Sequence, residues 1–99
     1  MSAFPLRMVF MPMNNQDDND TSQMLVSVPK RLLHRANRRN LVKRQIREAY
    51  RKNKHIMNGL NAAMAFVWLD NKTWPTDVVE LRIVNLLTRA KEKQIDDGK

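Results

Sequence analysis

The stretch from Lys30 to Lys54 constrains the fold most, because its spacing asks for a helix that can bury only one side. Val42, Ile46, Ala49 and Tyr50 recur at i, i+4, i+7 and i+8, which sets them on one face of an α-helix. On a helical wheel Asn40, Lys43, Arg44, Arg47 and Arg51 fill the neighbouring arc. The spacing predicts an amphipathic helix over 36–54, with an apolar stripe for a core and a broad cationic stripe beside it. Eleven of the 18 lysines and arginines lie between Lys30 and Lys54, against one acid, Glu48. The remainder is nearly balanced and slightly acidic, so this one stretch carries more than the whole net charge of +8. A field of that size draws polyanions from a distance.

A chain of 99 residues has room for one domain with a modest core, read as 1–94, with 95–99 a polar tail. With no cysteine, neither a disulfide nor a thiolate-bound metal can brace it. No apolar run approaches the length of a membrane span, and no membrane partner is expected. The opening MSAFPLRMVFMPM lacks the basic, apolar, small-residue order of a signal peptide. It reads as a strand, and the protein as cytoplasmic.

Around the basic helix the pattern is that of an α+β layer. Phe4–Met13 alternates loosely and reads as a strand; the turn-former cluster Asn14–Ser22 reads as a hairpin loop; Met24–Val28 reads as the second strand, paired antiparallel with the first. Asn58 and Gly59 stop the helix. Ala62–Leu69 is an apolar run of strand length, expected to be buried on both faces. Pro75 and Thr76 signal a helix start, and Val79, Ile83, Leu86, Leu87 and Ala90 repeat at helical spacing. The expected fold is a small mixed sheet of three to four strands packed with two helices, in the order strand, strand, helix, strand, helix. Trp68 and Tyr50 are read as core, Trp74 as a staple for the last helix, and the scattered methionines as core filler.

Lys43, Arg47 and Arg51 form one ridge along the helix, and Asn40 with Arg44 a second. Successive members of a ridge stand about 6 Å apart, comparable with the phosphate spacing of a nucleic acid strand. Arginine outnumbers lysine there, which favours bidentate phosphate contacts and stacking on bases. A solvated cationic face is the plain alternative, and nucleic-acid binding the favoured one.

The run Arg39-Asn40-Leu41-Val42-Lys43-Arg44-Gln45-Ile46-Arg47-Glu48-Ala49-Tyr50-Arg51 closely resembles the signature of the bacterial ribonuclease P protein family. It departs at Leu41, where that family usually carries the second arginine of an Arg-Asn-Arg core. Leu41 lies well away from the apolar stripe and is expected to be exposed. The strand Leu25–Val28 followed by Pro29-Lys30-Arg31, the strand Ala63–Leu69 and the helix Asp77–Lys93 also fall in the family's order. The family usually begins with a helix, whereas this chain begins at the strand and reads as shortened. The resemblance then does not imply a complete leader-binding cleft.

The resemblance implies a noncatalytic protein subunit. Its partners would be ribonuclease P RNA and precursor tRNA, and the RNA would hold Mg2+ and remove the 5′ leader. The RNA-binding set it implies, with the neighbouring cations, is Lys30, Arg31, Arg35, Arg39, Asn40, Lys43, Arg44, Arg47 and Arg51. It also implies a left-handed strand-helix-strand crossover. A sheet lacking its usual first helix would expose either Leu6, Met8 and Phe10 or Val9 and Met11, and self-association is expected.

The residues fit a helper better than a nuclease. Asp17, Asp18 and Asp20 share a loop without the glycine and flanking helices of a calcium site. His34 and His55 sit at opposite ends of the basic helix. No catalytic residue, protein-bound cofactor or metal is expected. The alternatives are a ribosomal or other structural RNA-binding protein and a self-sufficient nuclease.

Overall fold

The computed structural model describes residues 1–12, 23–57 and 62–97. Strand β1 (Ser2–Ala3) turns at Phe4–Pro5 into β2 (Leu6–Pro12), and β3 (Gln23–Ser27) leads to α1 (Ala36–Asn53). A short 3-10 turn (Lys54–Met57) follows, then β4 (Ala62–Trp68) and α2 (Thr76–Asp97). The fold is α+β, a mixed four-stranded sheet with two helices. The expected order of strand, strand, helix, strand, helix holds, with β1 as an addition: Pro5 interrupts the first apolar stretch, which folds back on itself.

The strand order is β1-β2-β4-β3, which corrects the hairpin reading. β2 and β3 are not neighbours. β4 lies between them, antiparallel to β2 from Leu6↔Trp68 to Pro12↔Ala62 and parallel to β3 from Gln23↔Ala63 to Ser27↔Val67. The physical reason is burial. β4 is the most apolar strand and takes the centre, while the crossover through α1 lets a helix cover the sheet between two parallel strands. The proposed hairpin loop, 14–22, lies outside the described residues, as do Asn58 and Gly59.

Alternation then divides the sheet into two unlike faces. Leu6 and Met8 of β2, and Met64, Phe66 and Trp68 of β4, are buried in one cluster with Val42, Ile46, Ala49 and Tyr50 of α1 and Val79, Ile83, Leu86, Leu87 and Ala90 of α2. Every apolar position that the two helical periodicities select is therefore in the core. The other face carries Arg7, Val9, Leu25 and Ser27, all exposed, and the half-buried Ala63, Ala65 and Val67. β4 is thus buried on one face only, against the expectation of two. Its opposite face is built of smaller side chains and carries no helix among the described residues.

Two sets of contacts fasten this end of the sheet, one of them to α2. Arg82 Nε donates to Phe4 O at 2.9 Å and Arg89 Nη1 to Ser2 O at 2.9 Å, pinning β1 and its turn to α2. Leu69 N donates to Pro5 O at 2.8 Å, closing the same end of the sheet. α2 starts where Pro75 O accepts from Val79 N, with Asp77 in its first turn complementing the helix dipole. The helix continues through 94–97, into the stretch that composition alone reads as tail; no helix breaker precedes Gly98.

Candidate nucleic-acid interface

α1 holds the candidate surface, and its rotation is fixed from the apolar side. With Val42 and Ile46 fully buried, Asn40, Lys43, Arg44, Arg47 and Arg51 must point away from the core. These five and Glu48 line one open cleft of about 350 Å³ on the helix surface. Residues of both expected ridges thus line one groove between side chains on the outer surface of α1. Arg44, Arg47 and Arg51 are exposed, and Lys43 is half-buried.

Glu48 is the acid within this cationic cleft. Arg51 Nε donates to Glu48 Oε1 and Arg51 Nη2 to Glu48 Oε2, both at 3.0 Å, a bidentate fork across one turn. That hydrogen bonding from Arg51 holds the Glu48 carboxyl below the usual carboxylate range, helped by the charges of Arg51 and Lys52. Both groups are well exposed, so the pair contributes little to stability. It does hold the Arg51 guanidinium in one orientation at the end of the ridge.

The remaining expected binding residues are placed differently. Lys30 and Arg31 are exposed on the turn that Leu32 N and Leu33 N close onto Pro29 O. Arg39 is half-buried, and its Nη1 donates to both Leu33 O and His34 O at 2.9 Å. It therefore ties the entry of α1 to the turn before it, a structural bond that spacing could not reveal. Arg35 belongs to a second cleft of about 260 Å³, which it lines with Leu32, Leu33, His34, Arg38 and Asn71. Arg38, outside the expected set, is thus at a surface site; its place beside Asn71 depends on a loop far away in sequence.

Gln45 was also invisible to periodicity. It is buried on the flank of α1 facing the loop before α2. Its Nε2 donates to Trp74 O and Thr76 Oγ1, both at 3.0 Å, so one amide ties the basic helix to the start of α2. Its Oε1 is buried without a partner among the described residues. Trp74, expected to staple the last helix, packs on the core edge, its indole N–H donating to Asp70 Oδ2 at 2.7 Å. Among the described residues, no three His, Asp or Glu side chains gather in a way that could hold a metal ion. No described helix is long and apolar enough to cross a membrane.

The fold and this surface define a class: a small α+β domain whose strand-helix-strand crossover displays a cationic helix, with one sheet face carrying no helix among the described residues. The family model described as Ribonuclease P matches residues 2–91, nearly the whole chain. The chain belongs to the ribonuclease P protein family. It is 49% identical over 56 residues to the ribonuclease P protein component of two strains of Porphyromonas gingivalis. That stretch is 57% of this chain and 40% of each relative's length. The structure is similar to the RNase P protein from Thermotoga maritima, with a TM-score of 0.74 over 90% of this chain and 80% of that one. At 21% identity, that likeness speaks for the fold.

Proposed function

We propose that the chain is an RNA-binding subunit of ribonuclease P, assisting a catalytic RNA in removing the 5′ leader from precursor tRNA. Family membership supports the assignment, and the cleft of Asn40, Lys43, Arg44, Arg47 and Arg51 is the single observation that carries the binding role. Four cations along one open groove match a folded polyanion better than a small substrate. Arginine forks can each grip a phosphate bidentately, and Asn40 can donate and accept at a base or a ribose hydroxyl. Lys30, Arg31 and Arg35 extend the positive surface towards the start of α1, while Arg39 serves mainly to shape it.

In this reading the protein supplies no catalytic group. Metal-assisted phosphodiester hydrolysis needs grouped carboxylates or histidines, and the chemistry belongs to Mg2+ held by the RNA. The protein acts in a reducing cytoplasmic compartment, with ribonuclease P RNA and precursor tRNA as partners. The open sheet face, with exposed Val9 and Leu25, also supports self-association at high protein concentration.

A titration of ribonuclease P RNA with the protein at several salt concentrations tests the binding role. If about six phosphates are met, affinity falls on the order of 10³-fold between 50 and 200 mM monovalent salt. A flat titration removes the electrostatic basis of the proposal.

A further inference from the structure

A second surface lies on the other flank of α1, away from the two ridges that carry Arg44 and Arg47. It begins at the cleft between the amino end of α1 and the loop before α2, where Arg35, Arg38 and His34 face Asn71. Three residues further along that loop, at most about 11 Å of chain, stands Trp74. The ring of Phe4 meets it edge-on, with centroids 6.0 Å apart and planes at 72°. Phe4 is 56% exposed although it belongs to a tightly bonded turn.

That exposure is held in place from several directions. Phe4 O accepts from Arg82, Pro5 O accepts from Leu69 N, Trp74 O accepts from the buried Gln45, and the Trp74 indole is fixed by Asp70. An exposed aromatic ring on a mobile tail costs nothing to leave in water; one pinned by this many bonds is a preorganised face. Arg35 and Arg38, in the cleft that Asn71 lines, sit where the fold gains least from them. α1 has no acid in its first turn and no side-chain cap from Arg35, so Arg35 and Arg38 crowd the positive end of the helix dipole. An anion in the cleft relieves both repulsions. Leu41, 39% exposed, lies on the wheel between Arg44 and Gln45 and so joins the ridge to this flank.

We propose that Phe4, backed by Trp74, is a stacking platform for an unpaired base of the bound RNA, whose backbone is held by Arg35 and Arg38 in the adjoining cleft. The inference rests on the RNA-binding reading but uses residues outside the ridge. Cations for the backbone and an aromatic face for the base are the two parts that single-stranded RNA recognition needs. Each base presents a π-face, so the platform discriminates by stacking strength and not by hydrogen bonding. Purines are favoured over pyrimidines.

Short single-stranded oligoadenylate and oligouridylate are the probes, titrated against the full chain and against Phe4→Ala, Phe4→Trp and Arg47→Ala. Oligoadenylate binds more tightly than oligouridylate and quenches Trp74, while the buried Trp68 supplies a constant background. Phe4→Ala removes the preference for adenine and lowers affinity about 5- to 150-fold, the range of one base–aromatic stack. Phe4→Trp restores both. The loss on Phe4→Ala is the same at every salt concentration, whereas Arg47→Ala flattens the salt dependence. If Phe4→Ala binds both probes as the parent does while Arg47→Ala is impaired, the platform is overturned and the ridge stands. If neither variant differs from the parent, the RNA-binding reading fails and takes the platform with it. A fall in affinity with an unchanged adenine preference, not rescued by tryptophan, also overturns it, since that marks a role in folding alone.

Discussion

Individual side chains on α1 divide cleanly by the direction in which they point. Arg44→Ala and Arg47→Ala each remove one proposed phosphate contact from an exposed position. They should weaken binding of ribonuclease P RNA, reduce the salt slope by about one each and leave the melting temperature unchanged. Ile46→Ala should do the reverse. Its side chain is fully buried, and the truncation should cost about 2–5 kcal/mol in chemical denaturation. Glu48 offers a third test, because it is the acid of the cationic cleft. Its depressed carboxyl stays ionised through the usual carboxylate range; the pair with Arg51 is present above that range and is lost as pH falls through the lowered value. Glu48→Gln removes the acid at neutral pH and frees Arg51, so RNA affinity should rise a few-fold and the salt slope steepen. An unchanged or weaker affinity would mean that the Glu48–Arg51 fork positions the guanidinium for binding. These assignments were legible beforehand because a helix converts spacing into direction: Val42, Ile46, Ala49 and Tyr50 define the inside, and the ridge follows. The roles of Arg39 and Gln45 were not, since their partners, Leu33 O and Trp74 O, are chosen by the path of the backbone outside the helix.

Elements were readable where their pattern is local and unreadable where it is relational. Both helices could be anticipated from apolar stripes, and β4 from an apolar run. The place of β3 could not. Two strands separated by a turn-former cluster suit a hairpin equally well, and only competition for the most apolar neighbour assigns β3 to β4 and seats β4 between β2 and β3. The two-residue β1 escaped for a related reason: it is defined by pairing Ser2 with Arg7 and Ala3 with Leu6, not by any preference of its own. The join between the two helices gives an element-scale test. At the carboxyl end of α1, Asn53 Nδ2 donates to Ala49 O at 2.8 Å and to Glu80 Oε2 at 3.1 Å, capping one helix and tying it to the other. Asn53→Ala should lower stability by about 1 kcal/mol while leaving RNA affinity within twofold of the parent. A large loss of binding with little loss of stability would instead move the interface towards the end of α1.

At the scale of the molecule, charge and apolar surface are segregated. The helices bury one sheet face and α1 carries the positive field, while the opposite sheet face keeps Val9 and Leu25 in water beside the edge strand β3. Sedimentation at rising protein concentration should detect reversible self-association, and Leu25→Lys should suppress it by placing a charge on that face. A parent that stays monomeric at high concentration would remove that expectation without touching the RNA-binding role. The most direct measurement is cleavage of precursor tRNA at limiting Mg2+ by ribonuclease P RNA, with and without the protein. The protein should accelerate leader removal by the RNA, do nothing alone, and lose most of its effect when Arg44 and Arg47 are both replaced by alanine. Cleavage by the protein without RNA, or an RNA whose rate the protein leaves unchanged, would contradict its role as an assisting subunit.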